Sequence, residues 1–286
     1  MIKDKMWSVI FFTPRDIFSR KILCYIRQEM KVCICFFGVV SRSIQHTIYS
    51  IKRNVLNELR RYGHSYDIYV HDIKVRDFQS NRAGDSCSQL SYKSKLLPAT
   101  FYESSNQTEM DQHVKVQSKK LCPFGCNPDF DAFTVLNCFR QLYSIARVTK
   151  MWKTHGRKYD YFIYLRPDLK YETKLPVKLI EKNYRKNILL SPNWHRHGGY
   201  NDRIYMGPEN IISRLGLRLN DVYSILSQEK KPYHPERFIG YVVKKYKIKA
   251  RFVDFYGRRV RSNGQISTAD PPINLFTGKK MNVFYK

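Results

Sequence analysis

The 286 residues are 43% hydrophobic and 14% aromatic, well above a disordered composition, so most of the chain is expected to fold as one large domain. Lys and Arg number 51 against 24 Asp and Glu, a formal charge of +27 that attracts nucleic acid, an anionic membrane face or phosphate-bearing small molecules. The seven cysteines lack framework spacing and no stretch nears the ~20 apolar residues of a membrane span, which argues against a disulfide-stapled secreted fold and a transmembrane helix.

Residues 1–30 show no clear periodicity and end at Met30, directly before the first convincing strand; they read as an N-terminal extension, or Met30 is the start. The near-continuous apolar run 31–40 fits a parallel strand buried on both faces, closed by Gly38 and the polar Ser41-Arg42-Ser43. Ile44, Ile48, Ile51, Val55 and Leu59 have helical spacing, Gly63 ends that helix, and 66–71 is a second strand, completing a β-α-β unit. Residues 76–125 are polar and Ser-rich with little periodicity, and are expected to form a mobile loop or lid. Cys122 and Cys126 lie four apart around its end, without an adjacent His or Cys pair to complete a zinc set.

A helix is predicted over 131–154, with Asp131 as N-cap and Gly156 as its stop. Residues 159–165 form a third buried strand that ends in Arg166-Pro167-Asp168. A short helix at 176–180, a strand at 187–191, a His-, Trp- and Gly-containing loop at 192–201 and a short strand at 203–206 follow. Helices over 209–228 and 235–246, a strand at 250–256 and a basic tail over 265–286 complete the reading. The alternation predicts one open, mostly parallel α/β sheet.

In such sheets ligands bind beyond the carboxyl ends of the strands. Three predicted strand ends carry polar groups: Gly38 with Arg42, His71-Asp72, and Arg166 with Asp168. Guanidinium groups can pair phosphate oxygens, and a carboxylate can hold a divalent cation that bridges them, so the pattern suits a diphosphate.

Tyr159-Asp160, an apolar strand and Arg166-Pro167-Asp168 resemble the variant DxD region of GT-A-type glycosyltransferases of bacteria, algae and large DNA viruses. Gln141-Leu142-Tyr143-Ser144 is similar to that family's Gln-x-Tyr-Ser, and Gly199-Tyr200-Asn201-Asp202-Arg203 with Gly207 to its Asn-Asp-Arg segment. Gly38 and Arg42 look like its nucleotide-binding first turn. The resemblance implies a GT-A-like (Rossmann-like) fold and transfer of a hexosyl or pentosyl unit from a nucleoside-diphosphate sugar to a glycan or glycoprotein hydroxyl. It implies that Asp168 binds metal and diphosphate. Gly38, Arg42, Arg166, Tyr143 and Ser144 would lie on the donor side, and Trp194, His195 and Asn201 on the acceptor side. Asp202 is the candidate general base, with Glu236 behind it, if the reaction inverts configuration. The expected cofactor is Mn2+ or Mg2+, although Arg166 replaces the usual first Asp and puts metal dependence in doubt. A cytoplasmic location is expected, in the host cytoplasm if the protein is viral.

Plainer readings exist for the same residues. Pro167-Asp168 is also turn chemistry, Asp202 follows Asn201 as in an Asx-turn, Trp194 serves packing equally well, and Tyr143 lies on an amphipathic helix. Two other functions compete. Asp168 with Glu172-x-Lys174 imitates the PD…ExK pattern of metal-dependent nucleases, but only three residues separate the two acids. A nucleic-acid-binding protein would use Lys244-Lys245-Tyr246-Lys247 and Arg258-Arg259-Val260-Arg261, yet the basic residues are otherwise scattered.

Overall fold

The computed structural model describes residues 29–75, 77–80, 85–88 and 93–270. All but the last two residues of the expected N-terminal extension lie outside the described residues, as does 271–286 of the expected tail.

The first strand, β1 (Lys31–Gly38), is the spine of the molecule. Its apolar run is divided by the strand's period of two: Val32, Ile34 and Phe36 enter one core, and Cys33, Cys35 and Phe37 the other. The first core is roofed by α1 (Ile44–Ile51), which passes through a π-helical turn (Lys52–Leu56) into α2 (Asn57–Arg61). Before the second core is closed the chain makes β2 (Ser65–Lys74), the pair β3 (Asp77–Ser80) and β4 (Asp85–Ser88), β5 (Phe101–Asn106) and α3 (Gln107–Leu121). The second core is then covered by the 24-residue α4 (Ala132–His155). Asp131 caps α4 by accepting from the Thr134 amide at 2.6 Å, and Gly156 closes it in the left-handed conformation at φ 62°.

The remaining elements are β6 (Tyr161–Leu165), β7 (Leu169–Tyr171), α5 (Val177–Asn183), β8 (Ile188–Pro192), β9 (Ile204–Gly207), α6 (Glu209–Gly216), α7 (Val222–Glu229), α8 (Pro235–Lys245), β10 (Lys249–Val253) and β11 (Gly257–Arg259). Seven strands make the central sheet in the order β10-β8-β9-β6-β1-β2-β5. Pairs β1·β2, β1·β6, β2·β5 and β8·β10 are parallel, while β9 runs antiparallel to both neighbours. This is the expected α/β class: a mostly parallel open sheet with helices packed on it. Among the described residues, no helix is long and apolar enough to cross a membrane.

Three readings need correction. The segment 76–125, expected to lack regular structure, contributes edge strand β5 and helix α3. Both are polar because each buries a single side: β5 alternates half-buried and exposed residues, and α3 buries Met110 and Val114. The helix expected over 209–228 is broken into α6, a 3-10 turn (Arg218–Asp221) and α7. It breaks after Gly216, where a Cβ would meet the Thr149 hydroxyl at 2.2 Å. Residues 265–270 are part of the fold: Ile266 bridges Val260, and Ser267 and Asp270 are buried.

Gly199 lets the loop between β8 and β9 lie against the start of α8. A Cβ there would meet the Glu236 carbonyl oxygen at 1.9 Å, and the Tyr200 amide donates to that same oxygen at 3.1 Å. Gly199→Ala should therefore cost roughly 1–3 kcal/mol, read as a lowered Tm. An unchanged Tm would show that loop and helix are not in this contact.

Candidate active site

The register of the sheet brings separate segments to one rim. Gly38 is opposite Asp72 in β1·β2, and Phe36 is opposite Leu165 in β1·β6, so the chain leaves β1, β2 and β6 at one edge. The antiparallel β9 pairs Ile204 with Leu165, and the Arg166 amide donates to the Arg203 carbonyl at 3.1 Å. Arg203 thereby stands beside Arg166 although 37 positions separate them in the chain.

The turn after β1 is held from behind. The Gly38 amide, at φ 107°, donates to the Ser144 hydroxyl at 2.9 Å. That hydroxyl lies 2.8 Å from His71 Nδ1, whose Nε2 is 3.0 Å from the Ser105 hydroxyl. Burial, aided by the positive charge of Arg147, lowers the His71 pKa to about 3, so the ring is neutral at ordinary pH. Asp72 accepts from the Val40 amide at 2.9 Å and the Tyr102 hydroxyl at 2.8 Å.

Above this rim lies a cavity of about 690 Å³, within the range of small-molecule sites. Seven arginines line it against four carboxylates, together with His195, His197 and His234. Arg166 grips Asp168 with two bonds, Nε to Oδ1 at 2.9 Å and Nη2 to Oδ2 at 2.5 Å, and Arg42 Nη1 is 3.6 Å from Oδ2. Asp168 is only 4% exposed; burial pushes its carboxyl pKa upward, but Arg166 and Arg42 outweigh that and hold it below the usual range. The Thr47 hydroxyl fixes the turn by donating to the Pro167 carbonyl at 2.6 Å.

Gln141 links this pair to the opposite wall. Its Oε1 accepts from Arg166 Nη1 at 3.4 Å, and its Nε2 donates to Asp202 Oδ2 at 3.1 Å. Asp202 is 7% exposed, and burial raises its carboxyl pKa, but Arg203 and Arg166 keep it ionised below the usual range. Glu236, in the first turn of α8, has Oε2 3.2 Å from His234 Nδ1. Asp270 backs two lining residues: it is 2.8 Å from His195 Nε2 and receives Arg259 through its backbone amide and guanidinium, at 2.7 Å and 2.8 Å.

Of the residues singled out from sequence, Gly38, Arg42, Arg166, Asp168, His195, Asp202 and Glu236 line this cavity. Tyr143, Ser144, Trp194 and Asn201 stand behind its wall. Ser144 props Gly38, and Tyr143 meets His71 edge-on with centroids 6.0 Å apart. Trp194 is buried with its indole donating to the Phe255 carbonyl at 2.8 Å, so its ring packs the loop instead of facing the cavity. Asn201 accepts from the Arg203 and Ile204 amides at 2.9 and 3.0 Å, the Asx-turn that aims the next residues. Sequence reasoning missed Gln141, Arg203, Arg259 and Asp270. The first two were inside quoted motifs without a role, and the last two looked like a basic tail.

The donors around Asp168 do not fit the Mn2+ or Mg2+ expected there. Both carboxylate oxygens are engaged by arginine, and the described residues contain no group of three or more His, Cys, Asp or Glu able to hold a metal ion. The nuclease pattern is also dispersed: Glu172 accepts from Arg258 Nε at 2.6 Å, and Lys174 pairs with Glu58 at 2.8 Å, both away from the cavity lining. In the basic patch proposed for nucleic acid, Lys244 pairs with Glu229 and Lys245 with Asp221, while Arg259 and Arg261 face the cavity.

No family model and no curated protein sequence matches the chain. Among solved structures, the chain is similar to the apo form of mouse xyloside xylosyltransferase 1, at 11% identity and a TM-score of 0.45, over 78% of this chain and 85% of that one. No residue correspondence follows from that likeness.

His71 gives the site a measurable pH signature. Unfolded chains take up its proton below the ordinary pKa of 6.5, whereas the folded ring resists until about pH 3. Its contribution is complete above pH 6.5 and lost as pH falls, at up to about 1.4 kcal/mol per pH unit. Denaturant unfolding of wild type and His71→Asn between pH 7 and 4 should show a steeper acid decline for wild type; parallel curves would contradict a buried neutral ring.

Proposed function

We propose that the protein is a glycosyltransferase of GT-A-like type, moving a sugar from a nucleoside-diphosphate sugar to a hydroxyl of a glycan or glycoprotein acceptor. The observation that carries this reading is the rim cavity, with an arginine-rich wall around Arg42, Arg166 and Arg203 and the carboxylates Asp202 and Glu236 in the same space. A diphosphate leaving group needs the first, and an attacking hydroxyl needs the second. The motif resemblance of Arg166-Pro167-Asp168 and Asn201-Asp202-Arg203 supports the same reading.

In the proposed reaction the acceptor oxygen attacks the anomeric carbon, and the bond from that carbon to the diphosphate oxygen breaks. The electron pair leaves with the diphosphate, where guanidinium groups stabilise the growing charge, and the acceptor's proton passes to a carboxylate. Gly38 and Arg42 border the nucleotide, and Arg166 meets the phosphates in an orientation set by Asp168. Asp202 is the proposed base because its Oδ1 has no hydrogen-bond partner within the protein, with Glu236 as the second candidate. The arginines that keep Asp202 ionised also weaken it as a base, so its role depends on close positioning.

Release of nucleoside diphosphate from a panel of UDP-, GDP- and CDP-sugars, with glycan acceptors, tests the reading. Asp202→Asn should lower kcat by about 10²–10⁴-fold with KM for the donor changed little. Glu236→Gln should cost less. No turnover with any donor, together with salt-sensitive binding to duplex DNA, would replace the transferase reading by a nucleic-acid one.

A further inference from the structure

Arg203 is the least satisfied charged group of the cavity wall. It is 6% exposed, faces the cavity, and its Nε and Nη1 have no hydrogen-bond partner. The nearest carboxylate oxygen, Asp202 Oδ1, is 3.8 Å from Nε, too far for a hydrogen bond. Its neighbours differ. Arg166 is chelated by Asp168, and Arg259 by Asp270, so each has its own carboxylate strut. A buried guanidinium with open N–H groups is costly and is retained where an anion completes it.

We propose, resting on the transferase reading, that the donor's pyrophosphate is held by an arginine grip that needs no divalent cation, with Arg203 supplying its open N–H groups and Asp168 serving only to orient Arg166. Three features carry this. Arg203 and Arg166 are backbone neighbours through the β6–β9 ladder and both line the cavity, which puts two guanidinium groups in reach of one anion. Counting arginines against carboxylates, the cavity lining has a surplus of three positive charges, which attracts a diphosphate and repels a metal ion. A cation on Asp168 would have to displace Arg166 from both carboxylate oxygens. Burial also lowers the Arg203 pKa and outweighs the opposing charge of Asp202, the direction expected of a desolvated cation whose N–H groups are not fully hydrogen-bonded. Bidentate guanidinium–phosphate pairing supplies directional bonds as well as charge, so the grip can neutralise the leaving group as a metal would.

The test is calorimetric titration of the full chain with inorganic pyrophosphate, and with UDP, GDP and CDP, in EDTA and in MnCl2, with sulfate as an ion control. Pyrophosphate should bind with the same affinity, within about twofold, in EDTA and manganese, and far more tightly than sulfate. Arg203→Gln should weaken it roughly 10- to 100-fold, the loss of charge-assisted hydrogen bonds. Arg203→Lys, which keeps the charge without the fork, should fall between them and guards against a Gln variant that fails to fold. Asp168→Asn should weaken binding equally in EDTA and manganese. Binding that requires manganese, or that Arg203→Gln leaves unchanged, overturns the grip while leaving transfer possible. Metal-free pyrophosphate binding without turnover of any sugar nucleotide keeps the grip and removes the transferase reading. No pyrophosphate binding in either buffer removes the grip.

Discussion

Burying several guanidinium groups at one edge of a sheet is the constraint on which the rest of this site depends. Each must lose water, and the fold offsets that for two of them with a fixed carboxylate: Asp168 for Arg166 and Asp270 for Arg259. These pairs keep the arginines extended and aligned before any ligand arrives. Preorganised charge of this kind acts strongly on a developing anion because nothing has to reorient during the reaction.

The topology explains how the cluster is assembled. Parallel strands β1, β2 and β6 deliver their following turns to a single rim, and antiparallel β9 enters the same rim from the opposite direction. That reversal places Arg203 beside Arg166, and Gln141 on α4 spans from Arg166 to Asp202. The wall behind is stiffened by a neutral polar chain, Ser105–His71–Ser144–Gly38, which holds the β1 turn without adding charge. Arg166 on one wall and Asp202 on the other are therefore joined through the Gln141 side chain.

Much of the fold was legible because its signals are local. The run in β1 is apolar at every central position since both faces are buried, and Asp131 and Gly156 bound α4 by capping chemistry that needs no tertiary context. Strand β5 and helix α3 escaped notice because each packs on one side only and spends its other side on polar residues. At the site, Arg166 and Asp168 were recognisable from their place after a buried strand. Arg203 was not, because its direction is set by the Asn201 turn and by pairing with β6, neither of which has a periodic signature. Trp194 shows the converse: an aromatic in a Gly-rich loop left an acceptor-side place and a packing role equally open, and its buried indole donates to the Phe255 carbonyl. Asp270 was read as tail because only long-range pairing with Arg259 and His195 shows its value.

The most direct measurement is a crystal structure of the protein with a nucleoside diphosphate, grown in chelator. Phosphate density within hydrogen-bond reach of Arg166 and Arg203, with Asp168 still clasped to Arg166 and Asp202 and Glu236 on the side of the terminal phosphate, where the sugar would be attached, is the predicted result. Phosphates bound elsewhere on the surface, or Arg203 turned away from them, would contradict the assignment of this rim as the place where a pyrophosphate is held.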